Sequence, residues 1–240
     1  MFLLKLSLQN VIIYIDSQRK EHKNMRMRRK KHREERMEAC SELLIPDILE
    51  YKNDLKSVFG DDKPLYIEIG CGKGKFITET AMNNPDVNFI AIEKISDVIV
   101  LALEKVKAAG LSNVKFVRGD ANLLGEFTTE SKCDRIYINF CDPWKKSGYA
   151  KRRLTHANFL EKYKGILKPG GEIHFKTDNQ ALFEFSLNSF SDYGLRLKNI
   201  TLDLHNSGFE GNVMTEYETN FSSQGMPIYR CEAIYPLTNE

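Results

Sequence analysis

The sequence predicts an α/β protein built on a doubly wound, mainly parallel sheet of seven strands. Three observations carry that expectation. Short apolar, β-branched runs alternate with segments of helical periodicity, the pattern of strands joined by crossover helices. The first central run, Leu65-Tyr-Ile-Glu-Ile69, breaks into glycines at 70, 72 and 74 before helix-forming residues begin, which reads as strand, tight turn and helix. A chain of 240 residues with 42% apolar content buries one sizeable core, so one domain with extensions is expected.

Taken in order, residues 2–15 are apolar and β-branched. They are too short to span a bilayer and lack the small-residue cleavage site of a signal peptide. Lys20-Glu21 can be encoded as AAGGAG, a bacterial ribosome-binding sequence, three codons ahead of Met25. Residues 1–24 are therefore expected to be a non-native upstream extension, the alternative being a real element docked on the body. Between Arg19 and Arg36 stand ten Lys or Arg against three Glu, so the net charge of +2 hides a basic N-terminal arm, residues 25–40, on a mildly acidic body, residues 41–240. Such an arm suits a polyanionic partner, unless it is only a solvated tail.

Residues 41–59 read as a helical region interrupted near Pro46. Beyond it, strands are expected at 65–69, 87–92, 114–117, 133–139, 171–177, 195–201 and 228–234. Helices are expected at 73–82, 96–109, 156–167 and 179–190, with a short one at 122–127. Five cysteines, odd in number and without a C-x-x-C pair, argue against a disulfide framework or a zinc site and for a reducing cytoplasm. His156 and His174 have no partner at metal spacing and read as structural; no metal is expected.

In such a sheet ligands sit beyond the carboxyl ends of the strands, at the switch point. The second strand ends in Glu93, where an acid can accept both hydroxyls of a ribose or merely cap a helix. The third ends in Gly119-Asp120, an acid placed for an adenine amino group or an ordinary turn residue. The fourth ends in Cys141-Asp142-Pro143-Trp144. Three acids at successive strand ends, behind a glycine turn, make a joint signal stronger than any one of them. The turn itself, Glu68-x-Gly70-x-Gly72-x-Gly74, differs from the G-x-G-x-x-G dinucleotide fingerprint. It resembles motif I of the S-adenosylmethionine-dependent methyltransferases.

Asn139-Phe-Cys-Asp-Pro-Trp144 followed by Lys151-Arg-Arg-Leu-Thr155 closely resembles the bacterial tRNA (guanine-N7-)-methyltransferases. Further matching pieces are Met25-Arg-Met-Arg-Arg-Lys, Ile92-Glu-Lys94, Leu167-Lys-Pro-Gly-Gly171, Phe175-Lys-Thr-Asp178 and Thr215-Glu-Tyr-Glu218. The resemblance runs from Met25 to about Tyr235. It departs where the family continues Asp-Pro-Trp-Pro-Lys-Lys-Arg-His, because here Lys145-Lys-Ser-Gly-Tyr149 follows the tryptophan.

The resemblance implies a Rossmann-like class I methyltransferase with its last strand antiparallel, S-adenosyl-L-methionine as cofactor and tRNA as partner. Glu68, Gly70, Gly72, Gly74, Glu93, Asp120 and Asp142 would bind cofactor. Lys146, Asp178, Thr215, Glu216, Tyr217 and Glu218 would bind substrate. The reaction expected is methyl transfer to N7 of a variable-loop guanine, in the cytoplasm, by a monomer or weak homodimer without a membrane.

Guanine N7 already carries an in-plane lone pair, so no general base is needed, and rate must come from positioning and charge stabilisation. Asp142 is the candidate catalytic residue, able to hold the guanine or the cofactor amine. Asp178 and Glu218 are candidates for the two donors on the guanine Watson–Crick edge. Gly148, Tyr149, Ala150, Lys151, Arg152 and Arg153, preceded by Lys145 and Lys146, form a basic segment expected to grip RNA phosphates. Trp144 and Tyr149 either stack on a base or pack within the protein. Two rivals stay open: an amino-methyltransferase acting on adenine or cytosine, whose [D/N/S]-P-P-[aromatic] loop Asp142-Pro-Trp-Lys145 loosely resembles, and a non-catalytic tRNA-binding protein.

Overall fold

The computed structural model describes residues 31–127 and 132–237. Residues 1–24, expected to be an upstream extension, and residues 25–30 of the basic arm lie outside them. Eight strands form one sheet: β1 (Leu44–Ile45), β2 (Leu65–Ile69), β3 (Asn88–Glu93), β4 (Val114–Arg118), β5 (Cys133–Asn139), β6 (Leu167–Thr177), β7 (Arg196–Thr201) and β8 (Tyr229–Ile234). Their order is β1-β4-β3-β2-β5-β6-β8-β7. Neighbours pair in parallel except β8, which is antiparallel to both β6 and β7. The expected α/β class and antiparallel last strand are therefore present, with one strand more than the seven expected.

The helices are α1 (Arg33–Glu38), α2 (Lys75–Asn83), α3 (Ser96–Ala108), α4 (Ala157–Ile166), α5 (Gln180–Asp192) and α6 (Glu216–Ser222). Strand alternation divides the core. Ile67, Ile69, Ile136, Ile138, Ile173 and Phe175 are buried in one cluster with Leu160 and Ile166 of α4 and Phe183 and Phe190 of α5. Phe89, Ala91 and Tyr137 are buried in a second cluster with Phe76 and Ile77 of α2 and Ile99 and Leu103 of α3. After β4 the chain crosses back over β3 and β2 to lay β5 on the far side of β2. That reversal is the switch point, and it opens the sheet beyond the ends of β2 and β5.

The structure departs from expectation in five places, one of them α6 (Glu216–Ser222), which no expected helix covers. Residues 41–59 are three 3-10 turns, with β1 between the first two, rather than interrupted helix. The residue before a proline is biased to extended backbone, so Ile45 before Pro46 extends and pairs with Val117. Asp47 and Asp54 then accept backbone N–H groups that start short turns. Residues Ala121–Glu126 are likewise a 3-10 turn. Strand β6 begins at Leu167, four residues early, because Leu167 pairs with Cys133 before a register shift brings Glu172 opposite Arg135. The last part of the charge run folds as α1: Met37 is buried, Arg36 pairs with Glu104 at 2.6 Å and Arg33 with Asp97 at 3.6 Å.

His156 caps α4, its Nδ1 accepting the Asn158 N–H, and His174 lies 2.7 Å from Glu172. Among the described residues no group of His, Cys, Asp and Glu could hold a metal ion. None of their helices is long and apolar enough to cross a membrane. All five cysteines are free and four are buried; burial pushes each of their thiols above the usual range.

Candidate active site

The turn after β2 sets the site. Gly70, Gly72 and Gly74 have φ of 78°, 57° and 82°, values that glycine adopts freely. At Gly74 the demand is also spatial, because a Cβ there would lie 2.6 Å from Ala102 Cβ and 2.7 Å from its Cα. The glycine lets α2 start against α3. Gly74→Ala is expected to destabilise the fold by more than about 1–3 kcal/mol, read by urea unfolding. A variant within about 0.5 kcal/mol of the parent would mean that the two helices part easily.

Glu93, at the end of β3, ties this turn to its neighbour. Its Oε2 accepts the Gly72 N–H at 3.2 Å and its Oε1 the Ile95 N–H at 2.8 Å. Asp120, just past β4, accepts the backbone and side-chain N–H groups of Asn122 at 3.0 and 2.7 Å, with Lys94 3.8 Å away. Asp142 follows β5 on a loop whose Phe140 and Trp144 have φ of 52° and 41°. Non-glycine residues in that region cost on the order of 1–3 kcal/mol each and persist where the surroundings over-determine them. Asp142 is exposed and makes no hydrogen bond or ion pair among the described residues.

These elements enclose an open pocket of about 520 Å³. Gly70, Glu93, Asp120 and Asp142 line it together, with Asn139, Phe140, Trp144, Lys151 and Arg152. The three strand-end acids thus converge on one cavity. Glu68 is buried behind it, 1% exposed. One of its carboxylate oxygens accepts from Asn139 Nδ2 at 3.1 Å and the other has no partner among the described residues. Burial pushes this carboxyl up to about 8, opposed by the Asn139 hydrogen bond.

The expected substrate residues divide. Tyr217 donates to Asp178 at 3.2 Å and its ring lies 5.0 Å from that of Phe140, so these two stand beside the loop that carries Asp142. Glu216 accepts the Lys75 N–H at the start of α2 at 3.2 Å and pairs with Lys105. Lys146 is exposed and lies outside the pocket lining. Glu218 departs from its expected role. It is fully buried, accepting from Lys176 and Asn212 at 2.7 Å each and from the Thr215 N–H. Thr215 caps α6 in return, accepting the Glu218 N–H at 2.9 Å. The Glu218 carboxylate therefore holds α6 in place and has no surface to offer a guanine.

The basic segment divides too. Its central turn, Ser147–Arg152, exposes Lys151 and Arg152. The Arg152 guanidinium stands 5.0 Å from the Trp144 ring and 4.7 Å from that of Tyr149, and the two rings meet edge-on. Arg153 turns inward: its Nε donates to the Pro143 carbonyl at 3.1 Å and its Nη2 to that of Trp144 at 3.2 Å. Gly148, Tyr149 and Ala150 lie on the turn without lining the pocket. Sequence reasoning missed the pairing of Asn139 with Glu68 and of Lys176 with Glu218. A lysine inside the apolar strand Ile173-His-Phe-Lys-Thr177 was the available signal for the second.

A doubly wound sheet with an acid-backed glycine turn and acids at three successive strand ends defines a methyltransferase of the α/β class. The family model described as "Putative methyltransferase" matches residues 62–231. The chain belongs to the family of the tRNA (guanine-N(7)-)-methyltransferases. It is 52% identical over 212 residues to one from Geobacillus sp. (strain WCH70), covering 88% of this chain and 96% of that one. It is 49% identical over 208 residues to one from Bacillus subtilis (strain 168), covering 87% and 98%. Among solved structures, one titled as an antibiotic related methyltransferase shares the fold with a TM-score of 0.53 at 20% identity, covering 76% of this chain and 92% of that chain.

Proposed function

We propose that this protein transfers a methyl group from S-adenosyl-L-methionine to N7 of a variable-loop guanine in tRNA, in the cytoplasm. The observation that carries the reading is the convergence of Glu93, Asp120 and Asp142 on one pocket. It occurs in a chain about half identical, over nearly the whole length of its relatives, to proteins named for this activity.

The residues fit the cofactor. Glu93 lines the pocket with each oxygen able to accept beyond its one backbone N–H, as ribose hydroxyls require, and Asp120 lines it where an adenine amine can be met. Glu68, 1% exposed and outside the pocket lining, acts on the cofactor through Asn139, whose amide it holds at the pocket wall. The bound cofactor supplies a methyl group on a sulfonium, ready for in-line displacement. The chain's own part is to present the guanine with its N7 lone pair in line and to keep negative charge near the purine as it becomes positive. Asp142, exposed at the pocket, does both. Asp178, held by Tyr217, and Tyr217 itself, held against Phe140, form the neighbouring wall. Glu218, Thr215 and Arg153 position these groups without touching either reactant.

Lys151 and Arg152 are read as phosphate contacts. The double variant Lys151→Ala with Arg152→Ala is expected to weaken tRNA binding and to reduce the slope of log affinity against log salt by about 1–2, measured by filter binding across a salt series. An unchanged slope would place this turn off the phosphates.

The reading as a whole is tested with protein starting at Met25, methyl-labelled cofactor and an unmodified tRNA transcript. Borohydride reduction and aniline cleavage cut RNA at 7-methylguanine. One cut in the variable loop is expected. Label in the RNA without a cut would favour an amino-methyltransferase, and no label with cofactor still bound would favour a binding protein.

A further inference from the structure

Arg153 sits in a basic segment, and its charge alone suggests an RNA phosphate as partner. Its contacts point elsewhere. Both arms of the guanidinium donate to consecutive main-chain carbonyls, Pro143 O at 3.1 Å and Trp144 O at 3.2 Å. Its face lies 4.3 Å from the centroid of the Phe185 ring on α5. Neighbouring contacts hold that stretch of chain in turn: the Thr155 and Ser186 hydroxyls bond at 2.8 Å, and Ser189 donates to the Thr155 carbonyl at 2.6 Å. The guanidinium is thus anchored to α5 on one side and grips the loop of Asp142 on the other.

The gripped loop needs an external hold. Trp144 has φ of 41°, a backbone state that a bulky side chain does not adopt unaided. Pro143 fixes the φ that precedes it. On the other side, residues 145–149 are exposed, and the contacts of Tyr149 and Arg152 reach the tryptophan ring rather than its backbone. Arg153 takes hold of the carbonyl of Trp144 itself. A planar fork is suited to two carbonyls at once, which a lysine ammonium on a flexible stem is not.

We propose that Arg153 is a positioning residue for methyl transfer: it clamps Pro143 and Trp144 so that Asp142, one residue earlier, keeps its place at the pocket. This rests on Asp142 acting as read above. The clamp has an optical reporter independent of any reaction, because Trp144 is the sole tryptophan of the chain.

The experiment compares Arg153→Lys, which keeps the charge and loses the fork, with Arg153→Gln, which loses both. Each is measured for kcat, KM for tRNA, salt slope of binding, thermal melting, and Trp144 emission with acrylamide quenching. Both variants should lower kcat by about 10–100-fold with KM and salt slope unchanged, and both should shift the emission and increase its quenching. Phe185→Leu, which removes only the ring under the guanidinium, should move emission and kcat in the same direction by less. The proposal is overturned if Arg153→Lys behaves as the parent while Arg153→Gln flattens the salt slope, the signature of a phosphate contact. It is also overturned if the variants only melt earlier, with kcat and emission unchanged. Failure of the parent protein to methylate tRNA would sink the proposed function, and the emission measurements would still show whether the clamp holds the loop.

Discussion

Asp142→Ala is expected to lower kcat for methyl transfer by at least about 10²-fold while the protein stays folded and still binds cofactor. The asymmetry follows from the site. Asp142 is exposed and has no hydrogen bond or ion pair among the described residues, so its removal leaves no buried group stranded, and substitutions at such positions fall within about 0.5 kcal/mol of the parent stability. The strained backbone around it is set by Phe140, Trp144 and Arg153, none of which the substitution touches. Asp142→Asn separates charge from shape: it keeps the outline of the side chain and loses the negative field that favours a purine turning cationic. Single-turnover measurement on an unmodified tRNA transcript, beside a thermal melt and a cofactor titration, checks the expectation. Turnover at the parent rate in Asp142→Ala would remove this residue from the mechanism.

The second large effect is on stability. Glu218→Ala is expected to cost about 3–5 kcal/mol, because it leaves the Lys176 ammonium buried without its counter-ion. Lys176 is 5% exposed and donates to Glu218, to the Val213 carbonyl at 2.9 Å and to Asn212 at 3.1 Å. Burial lowers its pKa against the raising effect of Glu218. Loss of the carboxylate also opens the capping box of α6, worth about 1 kcal/mol more. Replacing the pair together, as Lys176→Met with Glu218→Leu, should recover most of the loss, since an apolar pair of similar size is often neutral or stabilising. Urea unfolding of the two singles and the double gives the coupling directly. A single-variant loss below about 1 kcal/mol would mean that water or another group reaches Lys176 when Glu218 is absent.

Much of this molecule is legible in its sequence, and the illegible part has a common cause. Strand β2 and the acids Glu93, Asp120 and Asp142 can be read because each belongs to a local pattern: an apolar run, then a break, then a carboxylate. The sheet places those breaks side by side without further information. Glu218 cannot be assigned that way. Its partner Lys176 lies on a different element, and an acid near a site looks the same whether it faces a ligand or a buried lysine. A closer reading of Thr215-Glu-Tyr-Glu218 as Ser/Thr-x-x-Glu gives the cap signature of α6, and with it a structural role for both ends. Arg153 is hidden for a similar reason, since its guanidinium is committed to carbonyls that every sequence has. Residues 41–59 mislead because apolar spacing resembles a helix there, while Pro46 and the caps at Asp47 and Asp54 shorten each turn before it can propagate.

The five cysteines carry a practical consequence. Thiolate, not thiol, reacts with alkylating agents and peroxide, and a raised pKa keeps a thiol protonated and slow. With Cys40, Cys71, Cys133 and Cys231 buried and burial pushing up the thiol of the half-buried Cys141, the native protein is expected to react slowly with maleimides. A cysteine introduced on the exposed stretch 145–149 would then be the one handle that takes a dye or spin label in the folded state. Distances from the basic turn to a labelled tRNA thereby come within reach without first stripping the chain of its own sulfur.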